Sequence, residues 1–129
     1  LDYVPSVDLA THLLSADVHL ASLDPAWDGT MVPSKLQGSF AIGRPVIFVG
    51  SRTCAIGQWV LESGGGWVVE PGVPETLVAA VAEACEDRER EKRGRAAREF
   101  AAKHFDRNRN VERLACIFVD CKRGGRQEV

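Results

Sequence analysis

The sequence predicts an α/β fold, a parallel sheet of three to four strands with flanking helices. Three observations carry this expectation. Short apolar runs alternate with stretches of helical periodicity, Val46 to Val49 is apolar throughout between Pro45 and Gly50, and glycine or proline marks most of the joins. A short unbroken apolar run suits a strand buried on both faces of a parallel sheet. Strands alternating with helices imply right-handed crossovers between parallel neighbours.

The elements follow in order. Leu1 to Val4 reads as the end of a strand, and Pro5-Ser6 opens a helix with Val7, Ala10, Leu13 and Leu14 on one face. Asp17 to Leu23 is a strand, and Asp24 to Val32 a loop broken by Pro25 and Gly29. Ser34 to Ile42 forms a short helix ended by Gly43. After the Val46 strand, Thr53 to Ser63 is helical with Ile56, Val60 and Leu61 inward. Gly66 to Glu70 is a further strand closed by Pro71-Gly72, and Pro74 starts a helix facing inward through Leu77, Val78, Val81 and Ala82. A charged helix runs from Glu86 to about His104, and Asp106 caps a last helix through Val111, Leu114 and Ile117. Residues 1–119 form the domain and 120–129 a polar, frayed tail. A doubly wound, Rossmann-like sheet has about five or six strands, so this is a partial sheet.

Composition narrows the function classes. With 129 residues, 45% hydrophobic and 26% charged, the chain suits one soluble globular domain. A net charge of −2 gives no footprint for nucleic acid. No apolar run reaches the roughly 18–20 residues of a membrane span, and the opening LDYVPSVDLA does not read as a signal peptide. Leu1 leads directly into an apolar segment, as in a piece cut from a longer protein. Cys54, Cys85, Cys116 and Cys121 form no CxxC pair, and with His12, His19 and His104 they make no zinc pattern. Reduced, mostly packed cysteines are expected, and no metal.

The stretch Asp28 to Gly50 carries the chemistry. In open parallel sheets, ligands collect where strand ends lead into helix N-termini, and the loop before Pro33-Ser34-Lys35 lies in that position. Free N–H groups, the Ser34 hydroxyl and the Lys35 ammonium could seat a phosphate. A proline-initiated helix with a solvated lysine is the plain alternative. Gly38, inside a nine-residue helix, costs about 1 kcal/mol relative to alanine, so a close ligand or a neighbouring strand should compensate. Gly64-Gly65-Gly66 leads into a strand and reads as a tight turn. The arginines of 88–98, interleaved with acids, read as a solvated helix with i,i+4 pairs. His19, Trp59 and Trp67 read as packed residues, whereas Trp27 could stack on a sugar or cover a sheet edge.

Pro33 to Ile47, with its pattern PSK-L-x-G-x-x-A-x-G-R-P-V-I, resembles the retaining GT-B glycosyltransferases of family 4, in their exopolysaccharide and colanic-acid branch. ADVHLASLDPAWDG before it, FVG after it, SGGGWVVEPG and the late KHFDR extend the resemblance over most of the chain. It implies the second half of a C-terminal donor-binding domain, with a separate N-terminal acceptor domain outside this chain. The implied donor is a nucleotide sugar, UDP-linked, and the implied acceptor a saccharide or lipid-linked chain. The implied location is cytoplasmic, at the inner face of the plasma membrane by peripheral association. No metal or other cofactor is implied.

The resemblance assigns diphosphate contact to Ser34 and Lys35, and sugar contact to Asp28 with the backbone of Gly29, Thr30, Met31 and Val32. Gly38 stands where the family commonly has a ribose-binding glutamate, and would make room for the nucleotide. Thr30 stands at the other usual glutamate position, which makes Asp28 the candidate carboxylate. Ala55 replaces an acid in the segment Cys54-Ala55-Ile56-Gly57. Alone, the 129-residue chain is expected to be inactive. Two alternatives stand beside this reading: a GT-B nucleotide-sugar epimerase, and a non-catalytic binding module with a degenerate site.

Overall fold

A computed structural model of the chain describes residues 5, 7–31 and 34–124, the side chains of 120–124 excepted. Three strands, β1 (His19–Ser22), β2 (Val46–Val49) and β3 (Gly66–Val69), form a parallel sheet in the order β1-β2-β3. His19 lies opposite Val46, and Val46 opposite Gly66. The helices are α1 (Leu9–Leu14), α2 (Lys35–Ala41), α3 (Ala55–Ser63), α4 (Pro74–Cys85), α5 (Asp87–His104) and α6 (Arg107–Gly124), with a 3₁₀ turn at Pro25–Trp27. The expected α/β class and parallel sheet are thus present. The strand expected at 1–4 lies outside the described residues, as do Ser6, Val32, Pro33 and 125–129.

Side chains alternate across the sheet with a period of two, and this divides the core. On one face, Ala21, Val46 and Phe48 pack against Leu36 and Phe40 of α2, Ile56 and Val60 of α3, and Ala97 and Phe100 of α5. On the other, Ile47, Trp67 and Val69 pack against Ala80 and Ala84 of α4, with Leu77 beside them. β2 is therefore buried on both sides, as its unbroken apolar run requires. The crossovers α2 and α3 lie on the same face, consistent with a common hand. The chain then changes face through α4 and returns along α5, which packs on the α2 and α3 face.

Glycines set the closest approaches. A Cβ on Gly66 would enter the van der Waals space of the Val46 carbonyl, and one on Gly65 would lie 2.8 Å from Ala97 Cβ. Gly64 ends α3 in the left-handed conformation, with φ +64°. The triple glycine is a tight turn, as its sequence context indicates.

Several inward-facing expectations need correction. Leu61 is exposed on α3, and α4 presents Ala80 and Ala84 to the sheet while Val78 is 68% exposed. Small residues there let α4 lie close to Trp67 and Val69. Val111, Leu114 and Ile117 of α6 are also exposed, because no described element covers them. Asp106 does cap α6: its Oδ1 accepts from the Arg109 N–H at 2.7 Å. α6 continues to Gly124, past the tail boundary expected at 119. Of the cysteines, Cys54 is buried, whereas Cys85 and Cys116 are exposed.

Candidate functional site

The loops after β1 and β2 leave the sheet side by side at its carboxyl edge. Leu23 N–H donates to the Val49 carbonyl and Gly50 N–H to the Val69 carbonyl, at 3.1 and 2.9 Å, extending the ladder one step beyond the strands. The two loops that follow these bonds lie at the edge where parallel sheets bind ligands.

After β1 the chain is held by local bonds. Asp24 Oδ1 accepts from the Ala26 N–H at 2.9 Å, capping the turn Pro25–Trp27. Trp27 carbonyl then accepts from the Thr30 and Met31 N–H groups and from the Thr30 hydroxyl, the last at 2.9 Å. Gly29 makes this reversal possible by adopting φ +79°, which an L side chain would strain. Thr30 is thus engaged in building the turn, while Trp27 and Met31 are largely exposed. Within this turn, Asp28 Oδ1 is buried and has no hydrogen-bond partner among the described residues. An unpaired buried carboxylate oxygen is costly to a fold.

Ser34 and Lys35 stand exposed at the start of α2. Ser34 Oγ makes no capping bond, and Lys35 has no ion-pair partner among the described residues. Both are available to an anion, on a helix of seven residues. Val32 and Pro33 lie outside the described residues. The protein neighbour of Gly38 is a helix and not a strand. A Cβ there would lie 3.3 Å from Leu13 Cδ1, so this glycine seats α1 against α2 rather than meeting a strand.

The loop after β2 carries polar groups that the sequence reading passed over. Ser51 and Thr53 hydroxyls bond each other at 2.8 Å, and the Thr53 N–H donates to Ser51 Oγ. Cys54 caps α3, its Sγ donating to the Ser51 carbonyl and accepting from the Gly57 N–H. Gly57 is required because a Cβ would collide with the Ser51 carbonyl. Arg52 is exposed beside this tight loop. The one available signal was Gly50-Ser51 directly after an apolar strand. Away from this edge, His19 is a packed residue whose Nε2 lies 3.0 Å from the Leu13 carbonyl. Among the described residues no group of three or more His, Cys, Asp or Glu is placed to hold a metal ion, and no helix is long and apolar enough to cross a membrane.

Comparison with known proteins adds one relationship. Over 74 residues the chain is 34% identical to WbjE of Pseudomonas aeruginosa, a protein named as a probable glycosyltransferase. That stretch takes in 57% of this chain and 18% of WbjE, so the match spans under a fifth of the relative's length. No family model matches the chain. No solved structure matches it either. The likeness supports a glycosyltransferase in general terms.

Proposed function

We propose that this chain is the donor-binding portion of a retaining GT-B glycosyltransferase of the family-4 type. The observation that carries the reading is the buried, unpartnered carboxylate oxygen of Asp28 at the ligand-binding edge of a parallel sheet. The likeness to a probable glycosyltransferase supplies the chemical class. In this reading the donor is a nucleoside-diphosphate sugar, UDP-linked by preference, and the acceptor a saccharide or lipid-linked chain of surface polysaccharide. The work takes place at the cytoplasmic face of the membrane, and the acceptor domain lies elsewhere in the protein.

The roles follow from charge and position. Asp28 accepts a hydroxyl of the donor sugar through its carboxylate. The backbone of Gly29–Val32 follows the sugar. Lys35 and Ser34 meet the diphosphate, whose negative charge grows as the bond from the anomeric carbon to phosphate oxygen breaks. The acceptor oxygen bonds to the same face of that carbon, and its proton passes to the departing phosphate oxygen. Configuration is thereby retained, with Lys35 and N–H groups stabilising the leaving group and no metal assigned.

Titration with UDP and a UDP-sugar, read by amide NMR, tests the proposal. Shifts centred on residues 28–38 that disappear in Lys35→Ala support donor binding. No shift there would favour a degenerate binding module, a reading that Ala55 in place of the usual acid keeps in view.

A further inference from the structure

At the opposite end of the sheet lies a second cavity, of about 230 Å³, lined by Arg44, Arg90, Glu91, Gly94, Arg95 and Arg98 with the turn Ile42–Pro45. Its floor is a backbone contact. A Cβ on Gly94 would collide with the Gly43 carbonyl, so α5 crosses the turn before β2 with no side chain between them. Residues 90, 91, 94, 95 and 98 fall on one stripe of α5 at helical spacing. The charged helix therefore has a sided pattern: three of its arginines are gathered onto one surface with Arg44. Pro45 precedes β2, so the cavity and the loop after β2 are separated by the length of that strand, about 13 Å.

The guanidinium groups differ in how far they are already committed. Arg90 is tied to Asp87 and to the Ala84 carbonyl. Arg44 donates to the Leu14 carbonyl at 3.0 Å and meets Asp17 at 3.4 Å, but its Nε is buried without a partner among the described residues. Arg95 meets Glu91 at 3.7 Å with both side chains 70% exposed, a pairing that counts for little in water. Arg98 makes no ion pair or hydrogen bond among the described residues, and a Cβ on Gly43 would lie 3.6 Å from its Cδ. Glu91 is the one acid in the lining, against four arginines.

We propose that this cavity is an anion site for a phosphate group, distinct from the donor site. Several guanidinium forks from two chain segments suit the oxygens of a tetrahedral phosphate, whereas a planar carboxylate would occupy a single fork. The volume lies below the roughly 300 Å³ at which pockets for whole small molecules begin, so it fits a phosphate head group and not a nucleotide sugar. The phosphate could belong to a soluble ester or to a lipid head group, and the experiment separates the two.

The full chain, labelled with ¹⁵N, is titrated with inorganic phosphate at low ionic strength. Saturable shifts are expected at the Gly43, Gly94 and Arg95 amides, and Arg95→Ala/Arg98→Ala should remove these while leaving any shift at Lys35 intact. Arg95→Ala/Arg98→Ala should weaken binding by about tenfold or more. Arg98→Lys keeps the charge without the fork and should fall between. Co-sedimentation with phosphatidylglycerol vesicles but not phosphatidylcholine vesicles, lost in the double variant, assigns the phosphate to a lipid. Phosphate binding without vesicle binding assigns it to a soluble ester. No shift at Gly43 and Gly94, or shifts that the double variant leaves intact, would overturn the site.

Discussion

The guanidinium carbon of Arg93 lies 4.4 Å from the ring centroid of Trp67, stacked over the indole. Both residues also meet Glu83: the Trp67 indole N–H donates to its Oε2 at 2.7 Å, and Arg93 Nη2 lies 3.4 Å from the same oxygen. Arg93 Nη1 donates to the Gly66 carbonyl at 2.7 Å. One arginine of α5 thus holds β3 directly and α4 through Glu83.

Replacing Arg93 should therefore cost more than a surface charge would. It is 24% exposed, so screening weakens the pair with Glu83, while the carbonyl bond and the stacking remain. Arg93→Ala is expected to lower stability by about 1–3 kcal/mol, through the lost cation–π contact and an unsatisfied carbonyl. Arg93→Lys should recover only part, because an ammonium cannot stack and fork together. Urea unfolding followed by tryptophan fluorescence measures both. A loss below about 0.5 kcal/mol in Arg93→Ala, the range of ordinary surface changes, would show that the clamp is incidental.

The triple glycine separates steric from conformational constraint. Gly66 faces the Val46 carbonyl, which belongs to the ladder and cannot retreat. Gly66→Ala should cost about 3 kcal/mol or more, by overpacking against rigid backbone. Gly64 has open space for a Cβ but a φ of +64°. Gly64→Ala should cost only about 1–2 kcal/mol, the strain of the left-handed conformation. Thermal unfolding of the two variants gives the comparison, and equal losses would contradict the sheet spacing described here.

These two clusters show where the sequence was legible. The strands could be read because Val46 to Val49 has no polar residue and glycine or proline bounds it. The triple glycine could be read because it leads into a strand. The Trp67 clamp could not, since Glu83 and Arg93 lie 16 residues and more along the chain, inside patterns typical of solvated helices. The arginine cavity was hidden for the same reason, as Arg44 joins α5 only through the fold. At the candidate site, Ser34 and Lys35 were proposed from their place after a strand, and Asp28 from the family resemblance. The lack of a partner for Asp28 Oδ1 among the described residues was visible only in three dimensions.

The last helix marks the limit of periodicity. Val111, Leu114 and Ile117 have the spacing of a buried face, yet Phe118 beside them is 71% exposed. Spacing shows that a helix has an apolar face, not what covers it. Most helical stability in proteins comes from packing of the apolar face, which α6 lacks among the described residues. Amides of 111–119 should exchange orders of magnitude faster than those of Ala97–Ala101, whose side chains join the core. Hydrogen–deuterium exchange checks this, and equal protection would mean that α6 is covered in solution.

Gly38 offers a test of helix propensity against contact. Alanine there gains about 1 kcal/mol of helix propensity. The opposing contact is with Leu13 Cδ1 at 3.3 Å, the free end of a flexible side chain on a helix that buries none of its residues. Leu13 can give by a few tenths of an ångström, so the sign should follow propensity. Gly38→Ala is expected to raise stability by about 0.5–1 kcal/mol while leaving UDP affinity unchanged. Reduced UDP affinity, by calorimetric titration, would return Gly38 to direct contact with the nucleotide.

Asp28 should show the opposite balance between stability and binding. Its buried Oδ1 has no partner among the described residues, so removing the carboxylate breaks no hydrogen bond to that oxygen. The desolvation cost disappears with it. Asp28→Ala is therefore expected to be neutral or stabilising by up to about 1 kcal/mol, an unusual result for a half-buried polar residue. In the proposed reading the same change removes the acceptor for a sugar hydroxyl. UDP-sugar should then bind about tenfold more weakly, while UDP alone, which lacks the sugar, should be unaffected. Parallel calorimetric titrations with the two ligands separate the effects. Equal weakening of both would place Asp28 against the nucleotide, and no weakening of either would remove it from the site.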